Sequence, residues 1–247
     1  MPLIGSILFN TYFYLSLVPI TLIIVFLYFF ISTKNLQYVG SLWIKTVLYT
    51  LRMFCGVRWS VEGVENIPKS PCVVVSNHQG QWESFFLQTL FIPSTSIIKK
   101  ELLYIPLFGW ALRCMKPITL NRLNKISSLK KVIQKGVLKL ESGFSIILFP
   151  EGTRNNPEKG VQPYAASCGL LSVKSGFPIL PICHNSGKYW KNKKFIKYGQ
   201  IIFHYRILKK IFVSFIVLVK NIIKLNIFNT KMSYSTFIGI INGYFYF

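Results

Sequence analysis

Aspartate is absent from this sequence, so any carboxylate in a functional site must come from one of seven glutamates. Against those seven stand 29 Lys and Arg, a formal net charge of +22. Charged residues of either sign are scarce, at 15% of 247 residues, whereas hydrophobic residues make up 51%. So basic a chain attracts polyanions: nucleic acid, an anionic membrane face or an acidic carrier protein. So apolar a chain favours the membrane surface, and no RNA- or DNA-binding motif is present, so no nucleic-acid partner is expected. Cys55, Cys72, Cys114, Cys168 and Cys183 form no C-x-x-C pair. That argues against a zinc knuckle or a disulfide scaffold and suits reduced thiols facing a cytoplasm. His184 and His204, even with Cys183, match no common zinc spacing, so no metal site is expected. Ser76, Ser84 and Thr153 lie in no G-x-S-x-G elbow, which argues against a hydroxyl nucleophile. Internal repeats and low-complexity linkers are also missing.

Charge is missing altogether from Pro2 to Thr33, and Tyr12 to Ile31 is almost wholly apolar. About 20 such residues suffice to cross a bilayer core. With no basic segment before it and no small-residue cleavage site after it, the stretch reads as a retained anchor rather than a signal peptide. Tyr28, Phe29 and Phe30 form an aromatic collar, and Lys34, Lys45 and Arg52 follow, which places the remainder on the cytoplasmic side of the cell (inner) membrane. Leu42–Val57, interrupted by Lys45 and Arg52, reads as an amphipathic helix lying on the bilayer. The chain therefore divides into an anchor with its amphipathic helix (1–57), a catalytic domain (58–205) and a basic, apolar tail (206–247).

Residues 58–205 alternate short apolar runs with helical stretches, which predicts an α/β fold: a largely parallel central sheet covered by helices. Strands are expected at Val73–Ser76, Ser96–Lys99, Pro117–Leu120, Ser145–Phe149, Ile179–Ile182 and Gln200–His204. Helices are expected at Glu83–Phe91, Leu103–Met115, Ser127–Glu141 and Tyr164–Ser175. Ser127 and Ser128 suit a helix N-cap, and Gly143 suits the C-terminal end of that helix.

Two segments carry chemistry. In VVVSNHQGQWESFFLQ (73–88), His78 follows a buried strand and Glu83 falls in the first turn of the next helix, from where it can fold back onto the imidazole. Spacing alone is weak evidence, because it also allows a surface histidine and a glutamate that only complements the helix dipole. In SIILFPEGTRNNPEKG (145–160), a strand runs into Glu151, Gly152, Thr153 and Arg154. A guanidinium beside a glycine and a hydroxyl suits a phosphate, although a plain turn with a Glu–Arg surface pair fits as well.

Taken together, N-H-x-x-x-x-E followed about 70 residues later by F-P-E-G-T-R resembles the glycerolipid acyltransferase family, the 1-acylglycerol-3-phosphate acyltransferases of PlsC type. The likeness covers about residues 58–203. KKELLYIPLFGWALRCMKPITLNR (99–122) and GFPILPICHNSG (176–187, with Pro181) resemble further family motifs. The resemblance implies that His78 is the general base on an acceptor hydroxyl and that Glu83 orients it. It also implies that Arg122, Glu151, Gly152, Thr153 and Arg154 line the acceptor's phosphate site. It implies acyl-CoA or acyl-carrier protein as co-substrate, a membrane lipid as acceptor, and no metal or organic cofactor. Glu83 stands where the family more often has Asp, and Asn121 stands where an Asp is frequent. The family's usual Gly-Pro ending is not found after His204, so residues 205–247 are expected to reflect a reading-frame change or degeneration. The rival readings are acylation of glycerol 3-phosphate or another lysophospholipid, and a catalytically inactive membrane-surface binder.

Overall fold

The uncharged N-terminal stretch is helical from Pro2 to Leu27 (α1), and a computed structural model describes residues 2–120, 125–155, 164–165, 167–190, 195–197 and 202–207. By length and composition α1 can cross a membrane: an 18-residue window within Leu3–Leu27 has a mean hydropathy of 1.8, and 22% of that window is buried in the protein. Its outward side is a row of exposed apolar residues that includes Ile4, Leu15, Leu22 and Phe26, and Phe29 and Phe30 extend the row into the following turn. Helix α2 (Thr33–Cys55) begins at Ser32, whose hydroxyl accepts the Asn35 N–H. Its buried stripe, Leu36, Gly40, Ile44, Val47, Leu51 and Cys55, recurs at three- and four-residue steps. That stripe turns toward the protein, not toward lipid. Tyr38, Leu42, Tyr49 and Met53 remain exposed on the other side.

The sheet has the order β1-β7-β6-β2-β5-β3-β4. Its strands are β1 (Arg58–Glu62), β2 (Val73–Ser76), β3 (Ser94–Lys99), β4 (Ile118–Leu120), β5 (Ser145–Leu148), β6 (Ile179–His184) and β7 (Ile202–Ile207). Every neighbouring pair is parallel except β6 with β7. The central strands β2 and β5 are buried along their whole length, as strands covered on both faces must be. Side chains alternate between the faces. Val74, Ile147, Leu180 and Ile182 pack with Trp82, Phe86 and Leu87 of α3 (Trp82–Leu90), with the α2 stripe and with Phe9 of α1. Val73, Val75, Ile146 and Leu148 pack on the opposite face with Val132 and Leu140 of α5 (Lys125–Glu141) and Leu171 of α6 (Ser167–Ser175). The N-terminal helices thus share one core with the sheet. Lys197 fastens them further: its N–H donates to the Ser6 hydroxyl (2.9 Å), and its ammonium donates to Asn10 Oδ1 (3.0 Å).

The structure departs from expectation in further places. The helix expected over Leu103–Met115 is a 3₁₀ turn (Lys100–Tyr104) followed by α4 (Phe108–Cys114). Pro106 lies between them, lacks an N–H and disfavours helical geometry at Ile105, which is extended. Helix α5 starts at Lys125, so Ser127 and Ser128 lie inside its first turn and do not cap it. Strand β1 was not expected: it is short, charged at both ends and half-exposed at the sheet edge. The tail at 208–247 and Arg122 lie outside the described residues.

Candidate active site

Parallel strands deliver their following loops to one edge, and the loops after β2, β5 and β6 meet there. The β2 loop carries His78. The β5 loop grips its backbone from both sides: Glu151 Oε1 accepts the His78 N–H (3.2 Å), and the Asn155 N–H donates to the His78 carbonyl (2.7 Å). Phe149 stacks on the imidazole with centroids 4.1 Å apart and planes 16° from parallel. The ring is therefore fixed in orientation, yet 16% of the His78 side chain remains exposed.

Glu83, in the first turn of α3, folds back as its position allows. Its carboxylate is fully buried and 2.9 Å from His78 Nδ1. The same oxygen, Oε1, accepts the backbone N–H groups of Gln79 (2.8 Å) and Gly80 (2.6 Å). A carboxylate only accepts at this geometry, so His78 Nδ1 carries the hydrogen, and in the neutral imidazole Nε2 is the nitrogen with the free lone pair. Burial alone pushes the Glu83 carboxyl up, but hydrogen bonds from His78 and Gly80 and the nearby imidazoles hold it well below the usual carboxylate range. Gly80 permits a close approach: a Cβ there would sit 2.8 Å from the Trp190 carbonyl oxygen.

The F-P-E-G-T-R segment places its members differently. Gly152, Thr153 and Arg154 are exposed on the rim. Gly152 takes φ +67°, a conformation L side chains resist, and closes a turn onto the Phe149 carbonyl. Glu151 points inward to the His78 backbone, and among the described residues its Oε2 has no hydrogen-bond partner. Burial, together with the Glu83 charge, pushes its carboxyl up to about 7 despite the His78 N–H. A carboxylate so placed fits a role in shaping the His78 loop better than one in holding a phosphate.

These residues and this fold settle the family. The Acyltransferase family model matches residues 58–185, the segment from β1 to just past β6. The chain belongs to the acyltransferase family. It is 40% identical over 162 residues to a 1-acyl-sn-glycerol-3-phosphate acyltransferase of Pseudomonas aeruginosa, a match over 66% of this chain and 63% of that protein. A chloroplastic 1-acyl-sn-glycerol-3-phosphate acyltransferase of Brassica napus is 29% identical over 151 residues, 59% of this chain and 41% of that protein. The chain thus spans less than two thirds of the length of these relatives. The fold resembles the crystal structure of the 1-acyl-sn-glycerophosphate acyltransferase PlsC from Thermotoga maritima, with a TM-score of 0.69 at 23% identity over 94% of this chain and 100% of that one.

The structure brings His78, Glu83 and Glu151 into one contact network and leaves Gly152, Thr153 and Arg154 at its rim. The residues that sequence reasoning missed are Phe149 and Asn155, which hold His78, and His184 at the end of β6 with Ser186 in the turn that follows. The sequence offers His184 only as a possible metal ligand, with a spacing that matches no common zinc site. Its signal was its place at the end of a strand motif, but nothing local in the sequence ties it to Glu83.

Proposed function

We propose that the protein transfers a fatty acyl chain from a thioester, acyl-CoA or acyl-carrier protein, to the free hydroxyl of 1-acylglycerol 3-phosphate, making phosphatidate for phospholipid synthesis. One observation carries this reading: His78 Nδ1 is committed to a buried, ionised carboxylate, which leaves Nε2 as the basic nitrogen at the open edge of the sheet. In the proposed reaction Nε2 takes the acceptor hydroxyl's proton as the oxygen attacks the thioester carbonyl. The tetrahedral intermediate then expels the thiolate, and the proton on Nε2 passes to the sulfur. Glu83 stabilises the imidazolium formed in between. The thioester is already activated, so base and positioning supply what the step needs. Arg154, with Gly152 and Thr153, would receive the acceptor's phosphate, and Arg122 is proposed to join them.

The exposed apolar rows on α1 and α2 support insertion of the N-terminal helices in the inner membrane, where the acceptor lipid resides. The basic residues that follow α1 support a cytoplasmic catalytic face, and the net +22 would favour anionic lipid and an acidic carrier protein.

Membranes containing the protein, given labelled acyl thioester and each acceptor separately, test the reading. We expect 1-acylglycerol 3-phosphate to be acylated fastest, and His78→Ala to lower turnover by about 10²–10⁴-fold. Unchanged turnover by H78A would refute the chemistry. Faster acylation of glycerol 3-phosphate or another lysophospholipid would refute the acceptor.

A further inference from the structure

Glu83 has two oxygens, and only Oε1 faces His78. The other, Oε2, is met by the Ser186 hydroxyl at 2.8 Å from the turn after β6. Behind Ser186 lies His184, a buried imidazole that the proposed reaction does not use. His184 Nε2 is 2.8 Å from the Asn77 carbonyl oxygen, which can only accept, so Nε2 is the donor. Nδ1 faces both the Ser186 hydroxyl (3.0 Å) and the Ser186 N–H (3.3 Å).

The hydroxyl owns one proton and has two neighbours that could accept it. With neutral His184, the Ser186 N–H supplies Nδ1 and the hydroxyl proton goes to the charged Oε2, which would otherwise be buried unpaired. With protonated His184, Nδ1–H donates to the hydroxyl oxygen, and the hydroxyl proton again goes to Oε2. Both states direct Ser186 onto Glu83. Burial lowers the His184 pKa, against the pull of the Glu83 charge, which favours the first state.

The turn itself is fastened to the His78 loop. Asn77 Nδ2 donates to the His184 carbonyl (2.9 Å), and the His184 N–H donates to Asn77 Oδ1 (3.1 Å). The Gly187 N–H donates to Gln79 Oε1 (3.1 Å). Residues 77–80 and 184–187 are therefore tied together around the carboxylate.

We infer that Ser186, oriented by His184, is a positioning residue that locks the Glu83 carboxylate so that Oε1 stays on His78 Nδ1. The inference rests on the proposed role of His78 as base. Without the hydroxyl, a buried charged oxygen loses its partner, and the carboxylate is held at Oε1 alone, by His78, Gln79 and Gly80.

The test is steady-state acyl transfer by the full-length protein in membranes, with thermal midpoints measured alongside. Ser186→Ala should lower kcat about 10- to 100-fold with both KM values changed less than about two-fold, the range expected for a hydrogen bond to a charged group. Ser186→Cys, a near-isostere with a weak donor, should show most of that loss while keeping the thermal midpoint. Ser186→Thr, which keeps the hydroxyl, should stay within about five-fold of the parent. In a Glu83→Gln background the Ser186→Ala effect should largely vanish, because the carboxylate it acts through is gone. Unchanged kcat in both S186A and S186C, a loss confined to KM, or a loss of equal size in the Glu83→Gln background would each overturn the inference. Loss in H78A with none in S186A would sink this inference alone. Full turnover in H78A would sink the base reading and this inference with it.

Discussion

Replacing Glu151 with glutamine should change the pH dependence of stability in a direction that the site geometry dictates. The Glu151 carboxyl is pushed up to about 7 from an ordinary 4.5, first by burial and then by the Glu83 charge. The folded protein therefore binds a proton at Glu151 that the unfolded chain releases at lower pH. The stability this proton confers is fully present below pH 4.5 and is lost as pH rises through about 7. The full interval corresponds to roughly 3 kcal/mol, and solvent screening at this half-buried position reduces it to about 1–2 kcal/mol. Glutamine keeps the acceptor for the His78 N–H and cannot ionise. E151Q should therefore gain on the parent as pH rises from 5 to 8, by roughly 2–8 °C in thermal midpoint for a chain of this size. Thermal unfolding of both proteins in one detergent across that range reads the difference. A midpoint gap that does not change with pH, or one that closes as pH rises, would show that Glu151 is not held protonated by its surroundings.

Three further outcomes follow from the geometry. Gly80→Ala puts a methyl 2.8 Å from the Trp190 carbonyl oxygen, so backbone must move beside the carboxylate. We expect kcat to fall by at least about ten-fold, measured against a thermal midpoint that drops only a few degrees. On the proposed reading, in which Arg154 receives the acceptor's phosphate, Arg154→Ala should raise the KM for that acceptor about ten-fold or more and leave the thioester KM unchanged. Phe9→Ala, in α1, should destabilise the core around the sheet by about 3–5 kcal/mol, or roughly 6–20 °C, since Phe9 is fully buried against Trp190.

The sheet was legible where its strands are short apolar runs buried on both faces. Val73–Ser76 appears at the expected bounds, and Ser145–Leu148 one residue short. Where local chemistry competed with the apolar pattern, the pattern misled. Pro106 breaks the helix expected over Leu103–Met115, and Arg58–Glu62 hides an edge strand behind its terminal charges. His78 and Glu83 lie five positions apart across one loop, but that spacing became a legible pair only beside the F-P-E-G-T-R segment. Ser186 was not legible, because it lies 103 residues from Glu83 and meets it only through the adjacency of β2 and β6. Strand order is a product of global packing, and no residue near Glu83 encodes it.

Packing also joins α1 to the site around His78. Phe9 on α1 meets Trp190 edge to face at 5.4 Å, and Lys197, fastened to Ser6 and Asn10, lies over both rings. The Trp190 carbonyl in turn sits against Gly80, whose N–H holds Glu83 Oε1. Every link is a buried contact or a hydrogen bond, and dense packing of this kind transmits displacement instead of absorbing it. On the proposed reading, α1 therefore does more than tether the catalytic domain near lipid. It is one wall of the structure that orients the base, so the depth at which α1 settles in a bilayer also sets the depth at which His78 Nε2 meets the acceptor's hydroxyl. An anchor joined by a loose linker would leave that depth undefined. One built into the core, through Phe9 and the α2 stripe, makes it a property of the fold.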